Sequence, residues 1–281
     1  MTDHLFHDLA PVSAAGWNKI EGDARQTLLT MLAGRKLVDF RGPLGWEASC
    51  VCTGRSEAVI SPAQNPERGE NDKAIGVEAR IRGVLPLVEI RVPFEIRRCE
   101  LAALDRGARD ADFEPVIEAA RKIAIVENHL IFSGYAAAGI RGICETTSEP
   151  PFGPSDNYEN YPELIATALT RLRDRGINGP YAVALSEKCY TDLTDATKAG
   201  YPILEHVRRL IDGPLVSTPG LDGAVILSMR GGDFELTVGQ DFSVGYLSHD
   251  AEHVRLYIEE SVTFWTVSPL AAIPLSAPHA G

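Results

Sequence analysis

The sequence predicts an α+β protein: a long helix at its centre, strands gathered in two distant stretches, and a compact α/β module between them. The helix is marked at both ends. Asp112 is placed to accept from the first free amides, Pro115 needs no donor in the first turn, and Gly134 can take the left-handed conformation that ends a helix. Phe113, Val116, Ile117, Ala120, Ile123, Ala124, Leu130 and Ile131 recur at helical intervals and define one apolar face. Glu127 interrupts that face. A carboxylate there either pairs with a basic or amide group at a seam or acts as a catalytic acid or base, and the second use needs another titratable group beside it.

The other elements follow in chain order. Trp17, Ile20, Ala24, Leu28, Met31 and Leu32 keep helical spacing over 14–32, behind a short apolar arm from Leu5 to Leu9 and ahead of Gly34, so the chain opens on an amphipathic helix. Residues 35–40 then turn through Gly42-Pro43 and Gly45. An extended pattern holds over 48–60 and again over 74–96, with Val84, Leu85, Leu87, Val88, Ile90, Val92 and Phe94 on the return; between them, 61–73 is a polar tip with nothing to bury. Such a two-armed β-excursion leaves edges unpaired and predicts pairing with another subunit.

Beyond the long helix, 135–143 is small and Gly-punctuated, and 145–160 is acidic and turn-rich. Residues 162–175 read as a helix with Leu164, Ile165, Ala168, Leu169 and Leu172 inward and Gly176 behind it. A buried strand over 179–186 and helices over 187–194 and 203–211 flank the loop 195–202 and complete an α/β module. From Pro214 the pattern is β, over 215–218, 224–228, 234–238, 242–246 and 254–267, with Gly-rich turns between. Strands from both ends must return to the sheet that supports the long helix, so two composite regions interleave.

Composition and motifs narrow the function. The 281 residues carry 27 basic against 39 acidic side chains, a formal charge of −12, which disfavours a nucleic-acid partner. No apolar run approaches the roughly 20 residues of a membrane span. Five cysteines, odd in number, and an opening without a secretory pattern point to the reducing cytoplasm. Cys50 and Cys52 share a strand face, but no second Cys/His pair follows at metal-site spacing; they read as packed thiols, and no metal is expected. His249-Asp-Ala-Glu-His253 spells an inverted zinc-peptidase motif, which needs a helix to bring its imidazoles together; lying between two strand patterns, it reads as a polar hairpin turn. Arg230-Gly-Gly-Asp233 likewise reads as a tight hairpin turn rather than an RNA-binding fragment. The sequence has no phosphate-binding glycine loop and no serine elbow.

Taken jointly and in order, several stretches make the chain resemble the family 1 encapsulin shell proteins, first described as linocin-like bacteriocins, over essentially its whole length. They are Leu9-Ala-Pro11 with Trp17, Gly34-Arg-Lys-Leu-Val-Asp39, Gly42-Pro-Leu-Gly-Trp46, Pro86-Leu-Val-Glu-Ile-Arg91, Gly179-Pro-Tyr181, Gly200-Tyr-Pro202 and Arg230-Gly-Gly-Asp-Phe-Glu-Leu-Thr-Val-Gly-Gln-Asp-Phe-Ser-Val-Gly-Tyr246. The resemblance implies the HK97-type phage-capsid fold. Residues 1–47 would form the N-terminal helix and the start of a peripheral domain, 48–90 the extended loop, and 91–138 the peripheral domain with its spine helix. The axial domain would span 139–221, and 222–281 would supply return strands.

The function implied is a subunit without catalysis of its own that closes with its copies into an icosahedral cytoplasmic shell. The enclosed cargo enzyme, a ferritin-like protein or a dye-decolourising peroxidase, would be held by its C-terminal peptide. Carried over by position, the docking groove would involve Arg35, Val38, Asp39, Leu236, Val238, Asp241 and Phe242, and the fivefold pore Thr197, Lys198, Ala199, Gly200 and Tyr201. Some relatives bind flavin against a tryptophan ahead of the spine helix; Cys99 stands at that place, so the stacking surface is missing and no cofactor is expected. Two alternatives stay open: a phage-type major capsid protein, which the acidic balance does not favour, and a cytosolic hydrolase built on Glu127 or the His249–His253 turn.

Overall fold

The computed structural model describes residues 4–59, 79–147, 160–198 and 200–275; the polar tip 61–73 and Ala199 lie outside them. Helix α1 (Ala14–Met31) starts where the Ser13 hydroxyl accepts from the Gly16 amide at 3.0 Å and buries Ile20, Ala24 and Leu28 on one side. Helix α3 (Glu114–Ser133) is the long central helix, with Asp112 capping from just outside by accepting from the Glu114 amide at 3.0 Å. Gly134 ends it at φ 82°, and a Cβ there would meet the Gly142 amide nitrogen and the Ile140 carbonyl. Between them, helix α2 (Arg98–Asp105) follows the strand segment directly; its eight residues are too few for the sequence pattern to separate from what precedes them.

Strands β1 (Asp39–Arg41), β4 (Val88–Arg97), β10 (Phe234–Val238), β11 (Ser243–His249) and β12 (His253–Thr266) form one sheet. The long β12 is its spine: it pairs with β4 along one edge, from His253↔Arg97 to Val262↔Val88, and with β11 and β10 along the other. β1 joins β10 in parallel. It is short and exposed, so no period-2 burial pattern marks it in the sequence, which predicts only the turn at Gly42-Pro43 and Gly45 that follows.

Strands β2 (Cys50–Val59) and β3 (Ala79–Pro86) leave this sheet as a two-stranded antiparallel ribbon that pairs only with itself among the described residues. The ribbon stops at Pro86, since Val88–Ile90 already belong to β4 and pair with β12. Cys50 and Cys52 are exposed on it rather than packed, because the ribbon has no layer of its own chain to cover them.

The second sheet runs β13 (Ala272–Leu275), β9 (Ala224–Ser228), β5 (Tyr181–Leu185), β8 (Leu215–Ser217). Around it lie α4 (Ile143–Thr146), α5 (Tyr161–Asp174), α6 (Glu187–Asp195) and α7 (Ile203–Leu210). β5 and β9 are buried at every position, the mark of a sheet covered on both faces. The Arg230–Asp233 segment is a tight turn, with Gly231 and Gly232 at φ 85° and 80°, but not a hairpin, because β9 and β10 belong to different sheets. It is where the chain crosses from one sheet to the other.

Two apolar cores result, one between α1, α3, β4, β11 and β12, the other around the second sheet and reaching Phe234, Leu236 and Val238 of β10 and Val262 and Phe264 of β12, and α3 runs through both. Val116, Ala120, Ile123 and Ala124 pack with α1, β4 and β12, whereas Leu130, Ile131 and Phe132 pack with the second sheet and its helices. Burying a side chain of that size contributes about 1.5–3 kcal/mol, so the helix ties the two regions together, as does β12, which is buried in both. At the join, Asn128 uses its whole side chain. Its Oδ1 accepts from the Ala33 and Gly34 amides at 3.1 and 2.9 Å, and its Nδ2 donates to the Met31 and Pro219 carbonyls at 2.9 and 3.0 Å. Glu127 beside it is the seam carboxylate anticipated from the sequence, as its partners demonstrate.

Candidate functional site

The chain leaving α1 turns at Gly34, where a Cβ would strike Ile131, and this close approach aims the next side chain, Arg35, into the seam. Arg35 Nε donates to both Glu127 oxygens at 3.1 and 2.8 Å, and one terminal nitrogen donates to Asp241 Oδ1 at 2.9 Å. The other terminal nitrogen serves Glu127 at 2.7 Å and also donates to Glu260 Oε1. The Phe40 and Phe242 rings lie 5.0 and 4.7 Å from its guanidinium carbon. Burial works against the guanidinium charge, but the hydrogen bonds and negative charge of Glu127, with Glu260 and Asp241, outweigh it and hold Arg35 above its ordinary value. Glu260 is pushed well above the usual carboxylate range, first by burial and then by the charge of Glu127. Both glutamates are closed off from solvent (0 % exposed), and Glu127 is locked onto Arg35, which removes it as a catalytic group open to substrate.

Arg35, Asp241 and Phe242 form one end of a groove of about 520 Å³ between α1 and β11. From α1 it takes Glu21, Arg25, Leu28, Leu29 and Leu32; from the sheet, Val244 and Ile258; from the N-terminal arm, Leu5 and His7. The arm is fixed along β11: the Tyr246 amide donates to the Leu5 carbonyl at 2.9 Å, and the His7 ring stacks on Trp17 at 4.1 Å. Leu29 is 65 % exposed, a large apolar side chain held open to solvent beside other apolar walls.

Of the seven positions expected at the groove, three line it. Val38 and Asp39 instead border a separate cleft of about 60 Å³ beside the Arg230–Asp233 turn, where Asp39 Oδ2 accepts from the Gly232 amide at 2.6 Å. Leu236 and Val238 do not reach the surface at all (0 % exposed), because β10 is an interior strand with Phe264 and Val262 opposite them and core apolar side chains around them. Position in a motif does not separate a strand that borders the groove from one that packs inside a core. The residues missed, Arg25 and Leu29, had one signal: with Glu21 they recur at four-residue steps one position off the core stripe Ile20, Ala24, Leu28.

Of the expected pore residues, Thr197, Lys198 and Tyr201 lie on a short hairpin, Thr197–Lys198 (β6) against Tyr201–Pro202 (β7), with Gly200 at φ 79° between the two strands. Lys198 pairs with Glu163 at 3.1 Å, and Tyr201 stacks on His206 at 4.7 Å under Arg209. The His249–His253 segment is a hairpin turn, as read from the sequence. Asp250 Oδ1 accepts from the Glu252 and His253 amides at 2.8 Å, and these bonds, followed by Arg255, bring its carboxyl down to about 2. Among the described residues no group of three His, Cys, Asp or Glu side chains is placed to hold a metal. Cys99 is exposed at the start of α2.

Comparison with known proteins adds to this geometry. Residues 1–263 match the family model described as "Encapsulating protein for peroxidase", Linocin_M18. A "Type 1 encapsulin shell protein" of Rhodospirillum rubrum is 52 % identical over 272 residues, covering 96 % of this chain and 95 % of that one. The protein of the same description from Mycobacterium tuberculosis is 42 % identical, covering 98 % and 99 %. Among solved structures, a virus-like particle from Pyrococcus furiosus superposes with a TM-score of 0.61 at 16 % identity, covering 92 % of this chain and 99 % of that one. The capsid of Myoviridae phage XM1 gives 0.53 at 12 % identity, covering 86 % and 90 %. The two likenesses are of fold, and the fold is the HK97-type phage-capsid fold.

Proposed function

The chain belongs to the encapsulin shell-protein family, and from that membership we propose that it is a non-catalytic subunit of a closed icosahedral nanocompartment in the cytoplasm, which captures a cargo enzyme by its C-terminal peptide in the groove between α1 and β11. The cargo we propose is a ferritin-like protein or a dye-decolourising peroxidase, the second supported by the family description. No helix among the described residues is long and apolar enough to cross a membrane. No flavin is proposed, because the position ahead of the spine helix carries exposed Cys99 in place of an aromatic ring.

The observation that carries the docking reading is the groove itself, with Leu28, Leu29, Leu32 and Phe242 presented together and polar groups at its ends. A short peptide burying two or three aliphatic side chains at about 1.5–3 kcal/mol each must offset the ordering of its backbone, which leaves a modest affinity per site. Many identical sites on one inner wall then retain an oligomeric cargo by avidity. Leu29→Asp puts a charge into the groove at a position open to solvent, so the fold tolerates it. We expect shells to assemble normally and cargo content, read by mass analysis of co-expressed shells, to fall at least about tenfold. Full loading of the Leu29→Asp shell rejects the groove.

The β6–β7 hairpin is proposed as the fivefold pore loop, following the resemblance. Lys198→Glu there sets a carboxylate against Glu163 and reverses the local charge. The expected result is an altered, salt-dependent rate at which small ions reach the enclosed enzyme, with assembly unchanged in electron micrographs. An equal rate at every ionic strength places entry elsewhere.

A further inference from the structure

Behind the Arg35–Asp241–Phe242 wall of the groove lies a buried carboxyl that does not line it. Arg35, Asp241 and Phe242 line it, while Glu260 lies behind them, fully buried on β12. Resting on the docking reading above, we propose that Glu260 is a positioning residue for the groove: one proton held between the buried carboxyls of Glu260 and Glu127 keeps Arg35 available to Asp241, and loss of that proton loosens the Asp241–Phe242 wall.

The inventory of charges compels such a device. Three carboxylates, Glu127, Glu260 and Asp241, meet one guanidinium. With every group ionised the cluster carries two uncompensated negative charges, two of its three carboxylates being closed to water, a costly arrangement. Glu260 Oε2 supplies a second, independent mark: it is buried and finds no hydrogen-bond partner among the described residues. As an ionised oxygen it would be an orphan acceptor; carrying the proton, it becomes a donor beside the Glu127 carboxylate. Burial and the charge of Glu127 push the Glu260 carboxyl up, in agreement with that reading.

The groups around Glu260 are accounted for from each element packed against it. Arg35 comes from the turn after α1, Glu127 from α3, and Asp241 from the β10–β11 connection. The β4 residue opposite Glu260 is apolar Ile90, and Arg91 instead holds Glu259 at 2.7 Å, with His4 lying 3.9 Å from that carboxylate. When Glu260 ionises, it competes for Arg35 with the one partner that water can replace, Asp241, whose side chain is 46 % exposed. Asp241 Oδ1 also accepts from the Phe242 amide at 3.0 Å, and the Phe242 ring lies 4.7 Å from the Arg35 guanidinium carbon, so the three residues of the wall are tied to one another.

The sign follows. Because the folded value of Glu260 is raised, the stability it lends is present at low pH and is lost as pH rises through that value. Peptide affinity should fall in the same direction, by about tenfold, a usual size for coupling between two sites. By reciprocity, binding should draw in a proton.

The test uses assembled shells and a labelled synthetic peptide copying the C-terminal segment of whichever enzyme co-purifies with native shells. Affinity is measured from about pH 5 to about pH 9, the span over which buried glutamates titrate. Proton uptake is read by calorimetry in two buffers of different ionisation enthalpy. Wild-type shells should bind about tenfold more weakly at the alkaline end and take up a proton on binding, whereas Glu260→Gln shells should keep the acidic-end affinity throughout and take up none. A slope in Glu260→Gln equal to wild type overturns the proposal. Should that variant fail to assemble, a flat wild-type profile without proton uptake overturns it alone. Failure of the docking reading is separate and is recognised by unchanged peptide binding to Leu29→Asp shells.

Discussion

Arg35→Met is expected to lower the unfolding midpoint of the assembled shell by roughly 10 °C and to reduce the soluble yield. Removing one partner of a buried ion pair strands the other without compensation, which costs about 3–5 kcal/mol, and each kcal/mol is worth about 2–4 °C in a chain approaching this size. The loss is of this order because the stranded groups are Glu127 and Glu260, both at 0 % exposure, on the two elements, α3 and β12, that hold the first core together. The cation–π contacts to Phe40 and Phe242 disappear with the guanidinium. A further readout separates this account from simple loss of packing: Arg35→Met combined with Glu127→Gln should recover more than half of the loss. A single variant within about 1 kcal/mol of wild type, or a double variant no better than the single, rejects the charge network as the source.

Removing the β2–β3 ribbon, by joining residues 51 and 85 through a short Gly-Ser linker, is expected to abolish shell closure while leaving folded subunits. The ribbon pairs with nothing else in its own chain among the described residues, and a lone two-stranded ribbon is marginal in water. It exposes Ile81 (63 %) and Val84 (48 %) together with unpaired edge amides and carbonyls. In a chain of the encapsulin shell-protein family, those groups are expected to find partners on neighbouring copies, with a contribution multiplied over every subunit contact. Neither apolar core takes its structure from the ribbon: the clusters beneath α1 and α3 and around the second sheet contain no buried residue from 52–85. Size exclusion should therefore move from the void volume to single capsomers or smaller, with near-native circular dichroism. Closed particles from this variant would show that the ribbon is dispensable.

How much of the groove was legible depended on the kind of residue. Arg35 and Asp241, expected there from the family resemblance alone, do line the groove and sit where it meets the buried network. Leu236 and Val238, expected on the same ground, do not reach it: an aliphatic residue in a strand is equally at home against a peptide or inside a core, and only the burial of β10 decides. Cys50 and Cys52 were misjudged in the same way, since a strand pattern does not say whether a layer covers it.

The sequence by itself determined the elements with long-range periodicity and marked ends: α1, α3 and α5, the largely apolar strands β5 and β9, and the turn at His249–His253. These are local properties, fixed by helical spacing, capping and turn chemistry within a few residues of one another. It also anticipated that Glu127 needs a partner, because a carboxylate on an apolar stripe cannot stand alone. Tertiary structure decided everything that depends on which distant segments meet. It gave Glu127 the guanidinium of Arg35 and the company of Glu260, put Asn128 under the end of α1, sent the Arg230–Asp233 turn from one sheet to the other, and left Leu29 open beside β11. The partners in the first of these are separated by 92 and 225 residues, and no periodicity in a single chain carries information over that span.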